Sequence, residues 1–136
     1  MAVNARFELS VQGVEGLVAN IYAADPLVKN AVRAVNQRAG KYIRERTQAT
    51  CAYDTGFMAE HVKDVYTPSG LAFEVGWDAT DFYEAGHPFY PVWVEWGTTR
   101  QAAQPSLAPA YDEYSVTYAD DLGTAIKAAI SRLGTR

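Results

Sequence analysis

A chain of 136 residues at a formal net charge of −4, with 49% hydrophobic and 21% charged residues, has the size and balance of one folded domain with a core of its own. That composition excludes a disordered chain, and no apolar run approaches the roughly 18 residues that a membrane span needs. The start, MAVNARFELS, lacks the apolar segment of a signal peptide, and a lone cysteine, Cys51, cannot form an internal disulfide. A single domain over residues 1–136, made in a reducing cytoplasm, is therefore expected.

Phe7, Leu9 and Val11 alternate with Glu8, Ser10 and Gln12, the period of a half-buried strand, and Leu17 to Ala24 reads as a short helix. Asp25-Pro26 then offers an N-cap followed by proline at the first helical position. Leu27, Ala31, Val35, Ala39, Tyr42 and Ile43 predict one buried stripe of a helix running to about Ala49, with Gly40 a weak point inside it. Arg33, Gln37, Lys41 and Arg44 form its polar stripe. Asp54-Thr55-Gly56 has turn chemistry, an acceptor side chain followed by a residue free to take positive φ. Val62, Val65 and Tyr66, then Pro68-Ser69-Gly70, then Leu71, Phe73 and Val75 predict an antiparallel hairpin. Trp77 to Pro88 has no clear period and is expected to be a loop, covering a strand edge. Tyr90 to Trp96 fits a strand or a short helix, with Pro91 against a central strand. From Ser106, apolar residues at Leu107, Ala110, Tyr114, Tyr118, Leu122, Ala125, Ala129 and Leu133 predict a long amphipathic helix, or two with a bend, ending near Gly134. The fold class expected is α+β: a small antiparallel sheet packed against a basic helix from the N-terminal half and a long C-terminal helix.

Charge is unevenly spread. Lys29, Arg33, Arg38, Lys41, Arg44 and Arg46 stand against Glu45 alone, a local net of +5 that leaves −9 for the remainder. Two complementary surfaces of this kind suit self-association or a charged neighbour. Lys29, Arg33, Arg38, Lys41 and Arg44 are accordingly the candidate subunit interface. A basic helix could also meet phosphates. The acidic chain and the lack of aromatics interleaved with the basic residues speak against sequence-specific nucleic-acid binding.

Few residues are of the type and spacing that chemistry needs. Gly13 and Gly16 lack the partners of a phosphate loop. Cys51, Asp54, His61 and His87 have no ligand-like spacing, so the reading is a buried thiol and two loop or surface histidines, with no metal and no cofactor. No serine sits in a Gly-flanked nucleophile elbow. Glu95, between Trp93 and Trp96, is the most suggestive carboxylate, since two indoles that exclude water can raise its pKa. It has no catalytic partner in the sequence, and a bracing role suits it better: accepting hydrogen bonds from backbone or from the Gly97-Thr98 turn.

Asp54-Thr55-Gly56, Val75-Gly76, YPVWVEWGT and AAQPSLAPA occur in this order over residues 30 to 133. Together they resemble the tail-completion or neck proteins of long-tailed bacteriophages, also described as minor tail components. Tyr90, Val94, Glu95, Trp96, Gly97 and Thr98 match one signature of that family, and Gln104, Pro105, Leu107, Pro109 and Ala110 match the other. There are departures: Ser106 stands where an aromatic is usual, Ala108 where a basic residue is usual, and Phe57-Met58 where an aliphatic–basic pair follows Asp-Thr-Gly. Asp78 to Phe89 is also longer than the usual connection, which suggests a contact loop. The resemblance implies a structural virion protein and no enzyme. It would be a ring of six copies joining the DNA-filled head to the tail, between connector and tail-terminator proteins. Genomic DNA would pass through the lumen without sequence-specific binding, and assembly would take place in the host cytoplasm without a membrane. The alternatives are a tail terminator or a head–tail connector or stopper and, more distantly, a small cytoplasmic enzyme using Glu95.

Overall fold

The computed structural model describes residues 26–51 and 56–134. The expected strand at Phe7 to Val11, the helix at Leu17 to Ala24, the Asp25 cap and Asp54-Thr55 lie outside them. The described elements in chain order are α1 (Pro26–Thr50), α2 (Phe57–Glu60), β1 (Lys63–Tyr66), β2 (Phe73–Gly76), α3 (Ala79–Glu84), α4 (Pro91–Trp96) and α5 (Leu107–Gly134). This is an α+β arrangement in which the two long helices pack on each other and the two-stranded sheet packs on α1.

Helix α1 starts at Pro26, where a residue with φ already near the helical value and no N–H to satisfy fits best. Its buried face is Val28, Val32, Val35, Asn36, Ala39, Gly40, Ile43 and Thr47. The expected stripe is thus rotated: Val35, Ala39 and Ile43 lie inside, Leu27 and Ala31 are half-buried, and Tyr42 is exposed. The rotated face takes in Val28, Val32 and also Asn36, which is fully buried despite its amide. Its Nδ2 donates to Gly70 O at 3.0 Å, and its Oδ1 accepts from the Tyr118 hydroxyl. Burial of an amide costs little once both of its ends are paired. One side chain therefore ties α1 to the hairpin turn and to α5. Gly40 leaves a notch on α1 in which the Tyr66 ring tip sits, so it serves packing rather than weakness.

The hairpin is antiparallel with Lys63 opposite Gly76, Asp64 opposite Val75, Val65 opposite Glu74 and Tyr66 opposite Phe73. Its turn is closed by Gly70 N donating to Thr67 O at 2.8 Å and Thr67 N donating to Ala72 O at 3.0 Å. Gly70 takes φ of 73°, and a Cβ there would also run into the Arg33 side chain that covers the turn. Arg33 Nε donates to Ser69 O at 2.6 Å, so the turn is clamped to α1 from both sides.

The stretch Trp77 to Pro88 is not a plain loop. Asp78 caps α3 by accepting from Thr80 N at 2.9 Å, and Phe82 is buried completely. Phe82 meets Phe57, Phe89 and Tyr90 edge-on, with ring centroids 5.0, 5.3 and 5.1 Å away. Ala79, Phe82 and Phe89 thus anchor the segment in the core, while Asp78, Thr80, Pro88 and residues 83–86 stay exposed. Six residues were too few for a helical period to stand out among acids and small residues. Tyr90 to Trp96 resolves as a helix with Pro91 in its first turn, and the last helix is continuous through Gly123.

Candidate functional site at the Glu95 joint

Helix α4 is short, and successive residues are about 100° apart around it. Pro91 and Glu95 therefore share one side, while Trp93 and Trp96 share the other. The burial follows: Pro91 and Glu95 are inside, whereas Trp93 is 51% and Trp96 74% exposed. The two indoles that frame Glu95 in the sequence point away from it and do not enclose it.

Glu95 instead reaches the start of α5. Its Oε1 accepts from Ser106 N at 2.8 Å, from Ser106 Oγ at 2.7 Å and from Leu107 N at 3.2 Å. The first N–H groups of a helix have no partner inside it, and the positive end of the helix dipole lies there. A carboxylate placed at that point answers both needs. Pro109, two residues after Leu107, brings no N–H, which leaves one orphan donor fewer. The brace is real, but its partner is the N-terminus of α5 rather than the Gly97-Thr98 turn. Ser106, 1% exposed, is a site residue whose weight the sequence did not reveal. Its signal was present, since serine immediately before an apolar helical run is an N-cap pattern.

Between Glu95 and Ser106 the chain must reverse. Gly97 takes φ of 79° and ψ of 172°, a conformation open essentially to glycine, and a Cβ there would lie 2.7 Å from Ala103 N. Thr98 N donates to Gln101 O at 2.8 Å, and Thr98 Oγ1 accepts from the backbone N–H groups of Arg100 and Gln101. Gln104 N donates to Val94 O at 2.7 Å, closing the loop onto α4. Gln104, Pro105 and Pro109 keep exposed side chains, and Leu107 is core. Tyr90 is half-buried against Phe82, and its carbonyl accepts from Trp93 N and Val94 N.

Cys51, just beyond α1, belongs to the same joint. Burial pushes its thiol up from the ordinary value; a hydrogen bond with Ser106 opposes this, and the negative charge of Glu95 adds to it. A thiol kept protonated is a weak nucleophile. Gly56 lies elsewhere, at the start of α2 with φ of 82°, where its carbonyl accepts from Glu60 N at 3.0 Å. Gly76 ends β2 opposite Lys63. The two histidines lie outside the helices and strands, as expected of loop residues, and both are half-buried. They converge on Phe57, His61 stacked at 3.9 Å and His87 tilted at 4.6 Å between ring centroids. Among the described residues no cluster of three or more His, Cys, Asp or Glu could hold a metal ion.

The basic helix spends part of its charge within the chain. Arg44 Nη1 meets Asp64 Oδ1 at 2.7 Å, Arg33 also donates to Asn30 Oδ1, and Arg46 Nε reaches Glu113 Oε2 at 3.2 Å. The Tyr42 hydroxyl donates to Glu113 as well, and with Arg46 it holds that carboxyl below its ordinary range against a smaller effect of burial. Lys41 makes only a 4.0 Å contact with Glu45, both largely exposed. Arg38 is exposed, and Lys29 is partly so. Of the five candidate interface residues, Arg33 and Arg44 thus serve the fold, while Lys29, Arg38 and Lys41 keep charge toward solvent.

No protein-family model, curated protein or solved structure matches this chain. No helix among the described residues is long and apolar enough to cross a membrane.

Proposed function

We propose that this chain is a structural subunit of the neck of a long-tailed bacteriophage, forming a ring that joins the filled head to the tail. The observation that carries the reading is the Glu95 joint. Two of the four segments that carry the resemblance, YPVWVEWGT and AAQPSLAPA, are bound to each other by one carboxylate and the helix start that it caps. They form one structural unit, which is what ordered motifs without a catalytic constellation suggest. The exposed indoles of Trp93 and Trp96 add support, because large apolar side chains turned outward favour a partner surface.

The same joint weakens the enzyme reading. Glu95 is engaged by three donors and lies away from Trp93 and Trp96, so the carboxylate is positioned to hold a helix rather than to transfer a proton. Head–tail joining is tested in the genome that carries the gene. Disrupting it is expected to leave DNA-filled heads and finished tails unjoined in electron micrographs. Normal virions from the disrupted genome would end the proposal. Joining defects with tails of uncontrolled length would move the chain to the tail-terminator position instead.

A further inference from the structure

Strand β2 pairs on one side only among the described residues. Thr67 N donates to Ala72 O just beyond the strands, which fixes the parity of the ladder. Val65 with Glu74 and Lys63 with Gly76 therefore exchange the hydrogen bonds. The N–H and C=O groups of Phe73 and Val75 point the other way, off the far edge of β2. Val75 is completely buried, yet among the described residues no backbone hydrogen bond reaches that N–H or C=O. Buried backbone groups are almost always paired, because one left without a partner costs as much as a lost hydrogen bond. A two-stranded sheet is also marginal by itself. Both facts call for a third strand beside β2.

The far edge of β2 lies toward α5. Phe73 meets Tyr118 edge-on with ring centroids 6.2 Å apart, and Leu71 packs with Leu122. Tyr111, two helical turns before Tyr118, is half-buried in the same way. A strand along this edge has aromatic side chains of α5 beneath it. Above it lies the open face of the sheet, where Lys63 and Val65 are exposed. Such a site suits a segment in which apolar and polar residues alternate. Phe7, Leu9 and Val11 alternate in this way with Glu8, Ser10 and Gln12, whereas residues 52–55, Ala-Tyr-Asp-Thr, do not.

We infer that the far edge of β2 is a strand-acceptor site and that the segment from Phe7 to Gln12 of the same chain occupies it. Phe7, Leu9 and Val11 then face α5, and the strand runs antiparallel to β2. Direction and reach follow from α1. Asn36 meets Gly70, Gly40 meets Tyr66, and Arg44 meets Asp64, so the hairpin turn lies toward the start of α1 and β2 runs with that helix. An antiparallel third strand ends beside the turn, near the level of Asn36 and about 15 Å along the helix from Pro26. Residues 13–25 span up to roughly 43 Å when extended. They still span about 28 Å with Leu17 to Ala24 helical, so the connection reaches in either case. Nothing in this placement depends on the neck reading.

The test is NMR on the isotope-labelled full chain. Cross-strand contacts between residues 7–12 and 73–75 are expected, with the amide protons of Phe73 and Val75 protected from exchange. Leu9→Pro takes a donor out of the third strand and should speed exchange at Val75 on the order of 100-fold. The amides of Val65 and Glu74, inside the β1–β2 ladder, should stay as slow as before, which shows that the variant keeps its fold. Wild-type amides of Phe73 and Val75 that exchange as fast as in the variant overturn the placement. So does a β2 edge that contacts residues 52–55, or no segment at all. Contacts seen only between a labelled and an unlabelled copy in a mixed sample overturn it too, because the strand then comes from another molecule. None of these results touches head–tail joining, which the gene disruption decides separately.

Discussion

Replacing Glu95 by alanine leaves two backbone N–H groups and the Ser106 hydroxyl without their acceptor at a buried helix start. Hydrogen bonds to a charged group contribute about 1.5–3 kcal/mol each, and they share one oxygen, so their losses do not simply add. A total of about 4 kcal/mol is expected for Glu95→Ala. Glu95→Gln keeps an acceptor oxygen but removes the charge that faces the helix dipole, and about 1–2 kcal/mol is expected from that alone. With a urea dependence near 2 kcal/mol/M, the unfolding midpoint should fall by about 2 M for alanine and somewhat under 1 M for glutamine. Ser106→Ala removes one donor of the three and should cost about 1 kcal/mol, with strong coupling to Glu95 in a double-mutant cycle. If Glu95→Ala lowered stability by less than about 1 kcal/mol, the carboxylate would not be what holds α5 in place. The loop geometry and prolines would then have to suffice.

Three further outcomes are expected. Gly40→Ala, which would gain about 1 kcal/mol on an open helix, should instead lose about 1–2 kcal/mol because its Cβ overlaps the Tyr66 hydroxyl. That hydroxyl is held by Gln37 O and Asp64 Oδ2 and cannot retreat freely; in a Tyr66→Phe background the loss should shrink or reverse, as urea titration would record. Arg44→Ala should cost about 1–2 kcal/mol, because the Asp64 side chain it leaves is only 13% exposed, whereas Lys41→Ala should stay within about 0.5 kcal/mol. Equal effects of the two would refute that ranking. Finally, burial first, and the nearby Tyr114 and Tyr111 second, push the Tyr118 hydroxyl up to about 12. A folded-state pKa above the unfolded value near 10 gives stability that is complete below pH 10 and is lost as pH rises toward 12. Thermal melts across that window should show the decline, and Tyr118→Phe should flatten it while lowering stability at neutral pH.

Both long helices and the hairpin were legible because each has a period or a turn signal that extends over enough residues to rise above noise. The glycines of the turns were legible for the same local reason: Gly56, Gly70 and Gly97 all take positive φ. Short elements were not. Helix α3 has only six residues, and its identity depends on Phe82 finding Phe57, Phe89 and Tyr90, which come from distant parts of the chain. Asn36 reads as surface on any polarity scale, yet it is core because Gly70 and Tyr118 meet both ends of its amide. Local sequence could likewise announce that Glu95 is unusual and that α5 begins near Ser106. It could not say that the two belong together, because eleven residues and a glycine reversal separate them. Adjacency along the chain also placed the indoles around Glu95 only in one dimension; turned through about 100° per residue, they face away. Local pattern thus decides the elements and the sharp turns, where φ and hydrophobic period act within a few residues. Partners are decided by packing, since a hydrogen bond or an ion pair depends on distance in space and not along the chain.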